Sequence, residues 1–171
     1  ERIYEIDLRL RPEGQKGSFV TPLEQMKIYL TERAENWERQ AFCRARFIAG
    51  TPEIGEAFMR LASNFVYETP VPNDFAEQVD HMRKRMELEL AREAEENIDI
   101  KLGAGGIADI EFTVQYLQIL NGGRNPSLRR PDSAGVIQAL QKSGLISKKN
   151  GDDLLEAYRF LRLVENRLRI A

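Results

Sequence analysis

Two stretches of the chain hold side chains that could do chemistry. The first is Tyr4-Glu-Ile-Asp-Leu-Arg-Leu-Arg-Pro12, where Asp7 stands beside Arg9 and Arg11. A carboxylate among guanidiniums suits metal or phosphate work: the carboxylate takes a divalent cation, and the guanidinium forks match phosphate oxygens. The second is Lys101-Leu-Gly-Ala-Gly-Gly-Ile-Ala-Asp-Ile-Glu-Phe112. Glycines at 103, 105 and 106 ahead of a helix start free the backbone to turn its N–H groups towards an anion, and Lys101 adds a mobile cation. The spacing matches neither the Gly-Lys-Ser/Thr phosphate loop nor the dinucleotide fingerprint. Both stretches have plainer readings. By pattern alone the charged row around Asp7 reads first as a solvated strand face. The glycine run can be a tight turn into a helix, with Lys101 paired to Asp109 or Glu111. One carboxylate rarely holds magnesium for phosphoryl transfer, so on the chemical reading Asp7 needs partner carboxylates from outside this chain.

The elements that would position these groups are mostly helical. Residues Arg2 to Leu10 alternate apolar and charged, as a half-buried strand does. Pro12, Gly14 and Gly17 break it, and Ser18-Phe19-Val20 is a candidate return strand of a hairpin. Thr21-Pro22-Leu23-Glu24 and Thr51-Pro52-Glu53 read as capped helix starts with proline in the first turn. Between them a helix runs on, or breaks briefly, into Trp37, and Arg39, Arg44 and Arg46 form a basic strip. That strip reads as salt bridging with nearby glutamates or as a phosphate-facing edge. Ile54, Phe58, Leu61, Ala62 and Phe65 predict the inner face of a helix ending near Tyr67. Asn73 is the expected cap of the next, whose seam is Phe75, Val79, Met82, Met86 and Leu90. Ile98 to Leu102 alternates as a short extended segment. After the glycines a helix carries Ile110, Val114, Leu117 and Leu120 inward and stops at Asn121-Gly122-Gly123. Asp132 or Ser133 caps a short helix with Val136, Ile137 and Leu140 inward. Ser147 starts the last, whose long face runs from Leu154 through Tyr158 and Glu165 to Leu168.

Composition narrows the classes. The net charge of −2 gives no global reason to expect nucleic acid or a membrane surface, and no apolar run approaches a bilayer span. One cysteine, Cys43, and one histidine, His81, make an internal disulfide impossible and a Cys/His zinc site untenable, and suit a cytoplasmic setting. Cys43 reads as a packing residue and His81 as a surface one. The chain starts within a strand pattern without Met and is still in helical pattern at Ala171, as a segment of a longer protein would be.

Several motifs together resemble a known family. Tyr4 to Pro12 with Gly14 and Gly17, Trp37-Glu38 with Gln40-Ala41, Arg44-Ala-Arg46, Lys101 to Phe112 followed by Gln115, and Ala157-Tyr158-Arg-Phe-Leu-Arg-Leu-Val-Glu165 are similar, in the same order, to the bifunctional glutamine synthetase adenylyltransferase/adenylyl-removing enzymes. The glycine motif also looks like one in the helical domain of the PII uridylyltransferases. The resemblance implies one half of a polymerase-β-type nucleotidyltransferase. Residues 1–20 would be the last strands of the catalytic core and 21–171 its helical domain, mainly α and bundle-like. It implies AMP transfer from ATP to a tyrosine of glutamine synthetase, or removal of AMP by phosphorolysis. Asp7 would match a third metal carboxylate for Mg2+, with Arg9 and Arg11 neutralising phosphate charge. Lys101, Gly103, Gly105 and Gly106 would lie near ATP or phosphate. The Asp-x-Asp pair of that family has no counterpart here, so the chain alone is expected to be inactive. The alternative is a non-catalytic helical module that binds PII or glutamine synthetase.

Overall fold

The computed structural model describes residues 10–91 and 98–170, and among them the chain forms seven α-helices. They are α1 (Leu23–Glu32), α2 (Asn36–Phe42), α3 (Pro52–Tyr67), α4 (Phe75–Leu90), α5 (Ile107–Gly122), α6 (Ser133–Lys142) and α7 (Lys148–Ile170). The mainly helical expectation holds. The first strand of the expected hairpin lies outside the described residues, and Phe19 and Val20, its expected partner, are exposed.

Helix α5 is the axis. It is apolar on nearly every side, the pattern of a helix enclosed by others. Ile107, Ile110 and Val114 enter one core with Leu128, Val136, Ile137, Leu140, Leu155 and Tyr158, from α6, α7 and the short turn between α5 and α6. Ile119 enters a second core with Tyr29, Leu30, Cys43, Phe65, Val66, Phe75 and Val79. So α5 separates two apolar layers and touches α2, α3, α4, α6 and α7. Its buried Gln118 keeps polarity satisfied between them. Nε2 donates towards the carbonyls of Leu128 and Arg130 and the hydroxyl of Tyr67. Leu120, expected inside, is 43% exposed, while Gln118, Ile119 and Gly122 around it are the buried positions.

Local chemistry moved several helix starts. Helix α1 begins after Pro22 with no side-chain cap, so the Thr21 capping box does not form. The capping box belongs instead to α2, where Glu35 and Glu38 exchange hydrogen bonds with each other's backbone amides. Asp74, not Asn73, precedes α4. Asp132 caps α6 through Gly135 N, and Ser147 Oγ accepts from Asn150 N at the start of α7. Ile98 to Leu102 is not extended. Asp99 Oδ1 accepts from the amides of Lys101 and Leu102, a side-chain-closed turn that competes with strand geometry. Ile54 and Leu168 are exposed: on α3 the buried position is the neighbouring Gly55, and on α7 the buried stripe ends at Glu165.

The seam of α4 is also rotated. Phe75, Val79 and Arg83, four residues apart, form its buried line, while Met82 and Met86 are half-buried and Leu90 is exposed. Those last three line an open groove of about 400 Å³ with Trp37.

Cys43 is a packing residue as expected, and His81 is exposed. Burial pushes the Cys43 thiol up from 9.0 to about 12. The folded state therefore holds this proton more tightly than the unfolded state. The resulting stability is complete below pH 9.0 and is lost as pH rises towards about 12. Melting temperature should fall across that window, and Cys43→Ala should flatten the fall. The thiol should also resist alkylation near neutral pH.

Candidate functional site

The glycine turn is locked from within. Gly103 N donates to Asp99 O, Gly106 N to Gly103 O, Ile107 N to Ile100 O and Ala108 N to Lys101 O. Gly105 N donates to Asp109 Oδ2 at 2.6 Å. The amides that would cradle an anion are thus largely engaged by the chain. Gly105 stands at φ +73, which favours glycine, with nothing near its Cβ position. Gly106 is needed for a different reason: a Cβ there would meet three backbone oxygens.

Arg83 anchors the turn from α4. Its Nη2 donates to Gly103 O at 2.9 Å, and its Nε lies 2.6 Å from Asp109 Oδ1. The second contact is a close ion pair whose N–H direction is off line for a hydrogen bond. Asp109 therefore joins Gly105 N to a guanidinium that is only 8% exposed. Asp109 and Glu111 take arginines as partners, rather than Lys101, which is exposed.

A second cluster forms two residues further along α5, on another side of the helix. Glu111 Oε1 lies 2.6 Å from Arg44 Nη1 and 3.5 Å from Arg162 Nη2, and it accepts from Tyr158 Oη at 3.1 Å. Arg162 Nη1 also donates to the buried Glu165 at 2.6 Å, and Glu165 takes Arg169 at 2.8 Å. Arg162 Nε donates to Tyr158 Oη, and its guanidinium lies over that ring. Beside this hub is a polar cavity of about 410 Å³, lined by Arg44, Arg46, Tyr158, Arg162 and the start of α6.

The basic strip thus divides. Arg39 is buried, donates to the carbonyls of Thr69 and Pro70 beyond the end of α3, and lies over Phe65. Carbonyls past a helix C-terminus carry partial negative charge that suits a cation. Burial lowers its pKa from the ordinary arginine value. Arg44 and Arg46 turn the other way, into the cavity.

Asp7 and Arg9 lie outside the described residues. Arg11 is half-buried and donates to Gln15 O. Among the described residues no three His, Cys, Asp or Glu side chains gather closely enough to hold a metal ion. Sequence reasoning missed Arg83 and the Glu111 hub. Arg83 carried a signal, since it stands four residues past Val79 on the apolar line. Glu111 carried none, because its partners come from segments distant in the chain.

Three stretches behind the resemblance meet at this hub: Arg44-Ala-Arg46, Asp109 to Phe112, and Tyr158 to Glu165. Comparison with known proteins bears directly on that convergence. Residues 2–61 match the family model described as glutamate-ammonia ligase adenylyltransferase, and residues 73–171 match that of GlnD PII-uridylyltransferase. A bifunctional glutamine synthetase adenylyltransferase/adenylyl-removing enzyme of Bifidobacterium longum subsp. infantis is 39% identical over 98% of this chain. The chain belongs to the family of glutamine synthetase adenylyltransferases. The second model adds that the stretch from α4 to α7, which contains the glycine motif, is similar to the PII uridylyltransferase family. Relatives of the first name in Xanthomonas axonopodis pv. citri and Mycolicibacterium smegmatis are 40% and 36% identical over 98% and 99% of the chain. The chain spans 16% of the length of the Bifidobacterium relative, 18% of the Xanthomonas one and 17% of the Mycolicibacterium one. Among the described residues no helix is long and apolar enough to cross a membrane.

Proposed function

We propose that this chain serves an enzyme that moves AMP between ATP and a tyrosine of glutamine synthetase, by transfer or by phosphorolytic removal, in control of nitrogen assimilation. The observation that carries this is the colinear match of 98% of the chain to relatives of that name. Residues 1–20 complete a nucleotidyltransferase core, and 21–171 form the helical body behind it. Asp7 is one ligand to Mg2+, whose chemistry is to neutralise phosphate charge and position the attacking oxygen. The remaining carboxylates come from outside this chain. Arg9 and Arg11 face the transferring phosphate or hold Asp7. Lys101 and the turn of Gly103, Gly105 and Gly106 sit at the cleft edge. With most turn amides engaged internally, the Lys101 ammonium is the part that reaches ATP or phosphate. The setting is cytoplasmic.

Magnesium-dependent AMP transfer tests the reading. A longer enzyme containing this segment should adenylylate or deadenylylate glutamine synthetase, and the 171-residue chain alone should do neither. Transfer by the chain alone would contradict the division of catalytic groups.

The outer face of α7 favours a second reading. Phe160, Leu163 and Ile170 are 62%, 51% and 87% exposed, on one helical stripe beside Arg159 and Arg167. Such a face suits a helical module that binds PII or glutamine synthetase. Titrating the chain with each protein separates the readings: no binding to either leaves the catalytic-support role.

A further inference from the structure

We propose that the cavity beside Glu111 is a phosphoryl-oxyanion site built by the helical body, separate from the glycine turn. Its floor holds two guanidiniums that are already oriented. Arg44 and Arg162 both reach Glu111 Oε1, and Tyr158 Oη donates to the same oxygen. Arg162 spends a contact from each of its nitrogens on Tyr158, Glu165 and Glu111, whereas Arg44 spends only Nη1, so much of the five-donor fork of Arg44 is left for a ligand.

Charge points the same way. Arg44, Arg46, Arg162 and Arg169 are set against Glu111 and Glu165, so positive charge is in excess. Arg46 has no hydrogen-bond or ion-pair partner among the described residues, and it lines the cavity. The nearest other carboxylate, Asp132, is already engaged: one oxygen caps α6 through Gly135 N, and the other meets Arg130. That cap leaves the first-turn amides of Ser133 and Ala134 at the cavity wall, at the positive end of α6.

A dianionic phosphoryl group fits this set better than a carboxylate. It offers three acceptor oxygens to forked donors approaching from α7 and the segment after α2, and its charge balances the excess. The volume of about 410 Å³ admits inorganic phosphate or the polyphosphate end of a nucleotide. The inference concerns binding only and stands apart from the transfer reaction proposed above.

The test is titration of the chain at low salt with inorganic phosphate, tripolyphosphate, ATP and glutarate, followed by NMR of arginine side-chain and backbone amide signals. The expected result is a saturable shift at Arg44, Arg46, Arg162 and Ser133, weakened by salt, with glutarate weaker than the phosphates. Arg46→Gln should weaken binding by about ten-fold or more, since a charge-assisted hydrogen bond is lost. Its melting temperature should not change, because Arg46 holds nothing else. Arg60→Gln, on the exposed face of α3, should leave binding intact. Saturation by phosphate alone would identify an inorganic-phosphate site, and binding of ATP and tripolyphosphate only would identify a polyphosphate site; both support the proposal. Unchanged affinity in Arg46→Gln would overturn it, as would shifts confined to the glycine turn, glutarate equal to phosphate, or no binding at all.

Discussion

Asp109→Ala should lower the unfolding free energy by about 3 kcal/mol, because it strips a buried guanidinium of the closer of its two counter-charges and leaves only Glu87 at 3.4 Å. Arg83 is 8% exposed at its side chain, so water cannot replace the lost partner cheaply. The same change frees Gly105 N, which donates to Asp109 at 2.6 Å. The Asp109 carboxylate is itself 37% exposed, which places the loss at the low end of the range for broken buried pairs. A chain of this length should lose about 6–12 °C in melting temperature. Asp109→Asn keeps an acceptor for Gly105 N and should lose less. Adding Arg83→Met to Asp109→Ala should recover part of the loss, since the buried guanidinium is then gone and only the partly exposed Glu87 loses a partner. A melting temperature unchanged in Asp109→Ala would mean that the turn does not depend on this brace.

Gly106→Ala should cost about 2–3 kcal/mol by overpacking. Its Cβ would lie 2.9 Å from the carbonyl oxygens of Gly103 and Ile100 and 3.1 Å from that of Lys101. These oxygens cannot rotate away as a side chain could. They accept from the amides of Gly106, Ile107 and Ala108, so moving them breaks the start of α5. The neighbouring substitution makes a control. Gly105→Ala meets no atom and suffers only the cost of φ +73, about 1–2 kcal/mol. Thermal melts should therefore rank Gly106→Ala below Gly105→Ala. The reverse order would mean that conformation, not close approach, governs the turn.

The central place of α5 was legible because it carries apolar residues on all sides after a glycine entry. The ends of α3 and α5, the cap at Asp132 and the inward residues of α6 were legible for similar local reasons. The shift from Met82 to Arg83 on α4 was not. Both lines have helical spacing, and only the arrival of the glycine turn decides which one faces inward. The Glu111 hub was hidden for a stronger reason. Its partners are Arg44, Tyr158 and Arg162, which only the packing of α2 and α7 against α5 brings together. The split of the arginine strip follows from the same packing. Arg39 points back along α2 to the end of α3, whereas Arg44 lies past the helix end and turns to α5.

The proposed division of labour places chemistry at Asp7 and support in the helical body. It is tested most directly by Asp7→Asn in a longer enzyme containing this segment, assayed for magnesium-dependent AMP transfer to glutamine synthetase or its phosphorolytic reversal. The account predicts a fall in turnover of at least about a hundred-fold, the scale of losing a group that positions or deprotonates the attacking oxygen, with the melting temperature unchanged. Full turnover in that variant would contradict it.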